Sequence, residues 1–310
     1  MSLGQVFEIG RRILRRHWGV LLLVALLFVG PGALLSSASA LRFTDVAMGL
    51  FPELDGGAID TEFTLSAAEL DRLLGALGPF LGASLLAGVL GSIGALGFSA
   101  AVAEDYHARP AAIGPVLRAS LRRTPSALVF MLVTGLLISV LVVAGLVGMS
   151  LATLALPVGA VGTGGPGVFA ALVIGVGLTV AVVYLTMRWA PAFTAMVAED
   201  VGWRQALSRS WHLSGDNVLR IFALSIIVAL LTALISSILG ALFDAALTAS
   251  VGSLLGVDPL VVSTVALAMA AIIVAPVMPV MTAVLFFDLR TRRDPPATPA
   301  AASPPAAPGR

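Results

Sequence analysis

Between residues 124 and 187 the chain carries no charged side chain. As one helix those 64 residues would stretch about 96 Å, roughly three times the hydrocarbon thickness of a bilayer. Pro157, Gly159, Gly162, Gly164, Gly165, Pro166 and Gly167 interrupt the run, so it reads as two helices joined by an uncharged turn. Charge-free runs at 18–41, 73–103, 221–243 and 260–287 are each long enough for one crossing. The fold class that follows is an all-α polytopic transmembrane helical bundle. Its six spans are expected at about 18–38, 73–103, 127–155, 168–198, 221–243 and 260–287. Residues 1–293 then form one membrane domain, and 294–310, with six prolines among alanines, read as a disordered tail.

Composition agrees: 58% of the residues are hydrophobic and 11% are charged, too few charges to cover the surface of a water-soluble enzyme. With no Cys, disulfides, thiolate metal sites and a thiol nucleophile are excluded. All 18 basic residues are Arg, and they are unevenly placed. Counted over alternate loops, sixteen fall on one side and only Arg42 and Arg72 on the other. Positive charge gathers on the cytoplasmic side, so both termini are expected there, in the cell membrane. Ala38-Ser39-Ala40 after a basic start and an apolar stretch also fits a signal-peptide cleavage site. Against cleavage, the apolar stretch is long and contains Pro31 and Gly32. The loop 42–72 is acidic without the spacing of a calcium loop, and Ser66 with Glu69 predicts a capping box that starts the second span outside the bilayer.

The second, fourth and sixth spans end alike. Ser99, Thr194 and Thr282 are each followed six residues later by Asp105, Asp200 and Asp288, and four residues after that by Arg109, Arg204 and Arg292. The first two endings share Val-Ala-Glu-Asp, at Val102 to Asp105 and Val197 to Asp200; the last two share Pro191 and Pro279. Segments 3–17, 111–123 and 203–214, ahead of the other three spans, read as amphipathic interfacial helices; in the first, Leu3, Val6, Phe7, Ile13 and Leu14 share a face. The chain therefore reads as three parallel units of interfacial helix plus transmembrane hairpin, with a period of about 90 to 95 residues. An Asp four residues before an Arg shares its helix face, which makes the endings candidate anchors at the lipid boundary. A catalytic triad of Asp105, Asp200 and Asp288 is the sharper alternative, with nothing in the sequence to bring the three together.

Arg188 is the one charge expected at membrane depth, where an Arg costs about 2.5 to 3.5 kcal/mol. Two readings compete: it snorkels to the interface, or it joins Arg204 and Arg209 as a contact for an anion or a lipid headgroup. Pro191 leaves the Met187 carbonyl free as an acceptor beside it. Seven glycines from Gly75 to Gly97 place the second span at the bundle centre, and Pro276 and Pro279 should kink the last.

The segment 199–215, with Ala206-Leu207, Arg209-Ser210-Trp211, Leu213-Ser214 and Gly215, resembles the signature loop of the bacterial glycerophosphoryl diester phosphodiesterase membrane domain family. Phe286-Phe287-Asp288-Leu289-Arg290 with Arg292 is similar to that family's final helix. The resemblance implies a polytopic membrane protein of obscure function and transfers no activity. The catalytic domain that gives the family its name needs a barrel of about 250 residues with metal-binding carboxylates and histidines. This chain has only His17, His107 and His212, and no nucleotide-binding loop, HExxH or GxSxG set. No catalytic residue, metal or cofactor is therefore expected. The leading expectation is a non-enzymatic scaffold or accessory factor in membrane lipid or envelope homeostasis. The alternative is a transporter or permease subunit for a small or lipid-like anionic substrate. Membrane lipids, anionic ones included, are the expected partners, and nucleic acid is not.

Overall fold

The structure, a computed structural model, describes residues 3–50, 66–154, 166–252 and 256–293. The expected break at 157–165, most of the acidic loop and the tail 294–310 lie outside the described residues. Helices account for nearly all that is described: α1 (Leu3–Val24), α2 (Gly30–Leu50), α3 (Ala67–Tyr106), α4 (Ile113–Leu154), α5 (Pro166–Trp189), α6 (Ala192–Ala198), α7 (Trp203–Ser214), α8 (Val218–Leu247), α9 (Pro259–Val274) and α10 (Val277–Arg293). Among the described residues, six helical stretches are long and apolar enough to cross a membrane, as expected for a multi-pass membrane protein.

Breaks fall where the backbone chemistry puts them. Pro31 cannot donate to the carbonyl of Leu27, and just before it the helix widens into a π turn, Ala25–Val29, closed by Gly30 N–H on Ala25 O. Pro191 separates α5 from α6, and Pro276 separates α9 from α10. The expected capping box is present: the Ser66 hydroxyl accepts from Glu69 N–H, and Ser66 N–H donates to Glu69 Oε2 at 2.8 Å.

Helix α3 ends in a Schellman turn, with Arg109 N–H on Glu104 O and Ala108 N–H on Asp105 O. Ala108 there has φ of 54°, a left-handed conformation that a Cβ makes costly. Ala108→Gly is therefore expected to raise stability by about 1 kcal/mol, read as a higher unfolding temperature of the detergent-solubilised protein.

The core lies toward the arginine-rich end. In α3 the buried residues run from Ser92 to Ala103, while Leu74, Leu81 and Leu85 in the other half are exposed. An exposed Leu costs nothing in lipid, so the far half can stay open to acyl chains. At the arginine-rich end α3, α6 and α10 touch one another, and each amphipathic segment bridges two of them. Thus α1 lies on α3 and α10, the start of α4 on α3 and α6, and α7 on α6 and α10. Each segment buries residues four apart: Val6 and Gly10, Val116 and Ser120, Ala206 and Ser210.

That docking changes what fills the apolar stripe of the first segment. Val6 and Ile13 face protein, and a Cβ on Gly10 would collide with Met281 Sδ. The side chain of Leu3 lies outside the described residues. An apolar stripe gives a direction and not the medium that fills it. A correction concerns 111–123, which is continuous with its crossing in α4, whereas α1 bends at His17 (φ −112°, ψ 20°).

Candidate functional site

The three span-ending acids sit at corners where the cations come from the start of the same hairpin. Asp105 Oδ1 accepts from Arg16 Nη1 at 3.1 Å and lies 2.8 Å from His17 Nε2. Asp200 is held by Arg122 and by Arg123, whose Nε donates at 2.9 Å. Asp288 Oδ2 lies 2.9 Å from Arg220 Nη2. Beside Asp200, Glu199 accepts Arg209 Nε at 3.1 Å and meets Arg290 Nε at 3.5 Å. The hydrogen bonds from Arg123 and then Arg122 hold the Asp200 carboxyl below the usual carboxylate range.

The expected Asp-to-Arg anchor forms at one ending of the three. Arg292 Nε reaches Asp288 Oδ1 at 3.3 Å because α10 stays helical through Arg293. Arg109 follows the chain reversal at Ala108, and Arg204 belongs to α7, where its guanidinium lies 5.1 Å from the Trp203 ring. Four-residue spacing makes a pair only while one helix continues, and α3 and α6 stop short. The shared Val-Ala-Glu-Asp also ends differently. Asp105 is inside α3, whereas Asp200 lies beyond α6 at φ 55°.

Within the bundle the three hydroxyls of the endings converge. Ser99 Oγ and Thr194 Oγ1 are buried and 3.3 Å apart, and both line a cavity of about 190 Å³ with Thr282, Ala190 and Pro279. The lining is otherwise apolar, and a cavity of that size has room for water beside the three hydroxyls. The two proline breaks border it.

Arg188 lies against α7. Its Nε and Nη2 donate to Tyr184 Oη at 3.0 and 2.7 Å, its Nη1 donates to the Trp211 carbonyl at 3.1 Å, and the guanidinium is 4.6 Å from the Trp211 ring. Ser210 Oγ donates to the Arg188 carbonyl at 2.5 Å, so the proline break is answered one residue beyond Met187. Arg188 is thus held at the level of the charged helix α7. Arg188, Arg204 and Arg209 do not form one site: the first is on Tyr184 and Trp211, the second over Trp203, and the third on Glu199.

Sequence reasoning missed a basic pocket of about 310 Å³ between the start of α4 and the end of α6. Arg118, Arg122 and Arg123 line it with Asp200. The spacing was visible, since residues 115, 118, 119, 122 and 123 share a helix face, but the opposing wall from α6 was not. Among the described residues no group of three or more His, Asp and Glu is placed to hold a metal ion. No protein-family model, curated protein or solved structure matches the chain.

Proposed function

We propose that the chain is a non-enzymatic protein of the cell membrane, with both termini cytoplasmic, acting as a scaffold or accessory factor in membrane lipid or envelope homeostasis. In this reading three parallel units of amphipathic helix and hairpin surround an axis near Ser99, Thr194 and Thr282. One observation carries it: each span-ending acid is paired with cations from the beginning of its own hairpin. That arrangement commits the polar groups to holding helices together, as a rigid platform requires. The resemblance of 199–215 and of the last helix to the glycerophosphoryl diester phosphodiesterase membrane domain family agrees with a polytopic membrane protein that has no catalytic domain of its own.

A permease is the second reading, favoured by the hydroxyl-lined cavity between two proline-broken helices. The chain has no native cysteine, so single substitutions separate the two cleanly. Ser99→Cys, Thr194→Cys and Thr282→Cys are expected to resist a membrane-impermeant maleimide applied to either face of vesicles. Labelling from both faces would replace the scaffold with an alternating-access carrier. His107→Cys should react from the cytoplasmic face alone, and reaction from outside would overturn the orientation.

A further inference from the structure

We propose that the pocket of Arg118, Arg122 and Arg123 binds the phosphate-bearing headgroup of an anionic lipid in the leaflet at the arginine-rich end. The inference rests on the membrane-spanning architecture and is independent of the scaffold reading.

Three observations converge on it. The first is charge: three guanidiniums face one carboxylate, Asp200, which Arg122 and Arg123 share, and Arg118 has no partner among the described residues. An unanswered excess of positive charge with guanidinium geometry matches a phosphate, which accepts paired N–H donors.

The second is depth. Arg122 and Arg123 are the last charges before the apolar run of α4. Arg122 precedes the buried Ala127 by five residues, about 7.5 Å along a helix. That is the level of headgroups, where anionic lipids concentrate beside basic segments. The remaining wall, Pro115, Ala119 and Val197, is apolar. A free phosphate has no use for such a wall, whereas the glycerol and first methylenes of a lipid would lie on it.

The third is openness. The same kind of corner occurs in each hairpin, but the acid is 3% exposed at Asp288, 18% at Asp105 and 59% at Asp200. The second corner is the accessible one, and its three guanidiniums against one carboxylate exceed the two, Arg220 and Arg292, that meet Asp288.

The test uses the full-length protein in detergent, with native mass spectrometry after adding phosphatidylglycerol, diacylglycerol or inorganic phosphate. Phosphatidylglycerol should be retained and diacylglycerol lost, and excess inorganic phosphate should leave the lipid in place. Arg118→Gln with Arg122→Gln should cut retention by about tenfold, as losing charge-assisted hydrogen bonds predicts. Arg11→Gln with Arg15→Gln, an equal loss of two charges at exposed positions on α1, should retain lipid like the wild type. Should the double variant fail to fold, Arg118→Gln alone carries the test, because Arg118 has no partner to lose among the described residues. Equal retention by the arginine variants and wild type, or no retention by wild type, overturns the proposal. Displacement of lipid by inorganic phosphate would make the ligand a soluble phosphate and overturn the lipid assignment.

Discussion

Asp288→Ala is expected to lower the stability of the solubilised protein by about 3 to 5 kcal/mol, the cost of removing one member of a buried ion pair. The carboxylate is 3% exposed and the facing Arg220 side chain 17%, so the substitution leaves a guanidinium with little water to replace its partner. Arg292 loses one acceptor as well. The comparison that isolates burial is Asp200→Ala, in which the same kind of span-ending acid is removed from a corner open to water. An exposed pair is screened and contributes little, so that variant should lose only about 1 kcal/mol, most of it from placing Ala at φ 55°. Thermal unfolding of both variants, followed by circular dichroism in one detergent, makes the comparison. Equal losses would mean that the corners are energetically alike and that burial of Asp288 does not matter.

The contrast between those acids also shows where sequence reasoning stops. Asp105, Asp200 and Asp288 are visible as a repeated mark, but their partners Arg16, Arg122, Arg123 and Arg220 lie between 68 and 89 residues away. No local periodicity reaches that far. What a short window does specify is recovered: six apolar helices from uncharged runs, the cap at Ser66 and Glu69, and the break at Pro276, whereas the break at Pro191 falls inside a span expected to be continuous. These rest on backbone groups and on the cost of charge in lipid, which neighbours decide. Expectations that needed a second helix fared worse. The stripe of Val6 and Ile13 pointed to lipid and is filled by protein, and Trp211 and Tyr184 were not foreseen as the groups that hold Arg188. In both cases the missing information was the identity of the opposing surface. The basic pocket is the same problem reversed, since its arginine face is readable and the wall from α6 is not.

Glycine-rich helices raise the question of which glycines are packing contacts, and α3 allows the answer to be measured along one helix. A Cβ on Gly97 would lie 2.8 Å from Val24 Cγ1 and 3.1 Å from Ser120 Oγ, where α1, α3 and the start of α4 meet. Gly97→Leu should therefore destabilise by about 3 kcal/mol, the upper end for inserting bulk into a packed site, because the nearest group is a methyl of β-branched Val24, which has few rotamers to move to. Gly78, on the same helix, has nothing within 4 Å. There Gly78→Leu should stabilise by about 0.8 kcal/mol, since it removes the backbone entropy cost of glycine and adds a side chain that lipid accepts. The signs must differ if close approach, and not glycine content, sets the packing. A smaller change sharpens the test: Gly97→Ala should cost stability, and Val24→Ala in the same chain should restore part of it by clearing the nearest methyl. Two losses that simply add would show that Val24 is not what Gly97 makes room for. A stabilising Gly97→Leu would mean that α1 and α3 are not in contact at this depth.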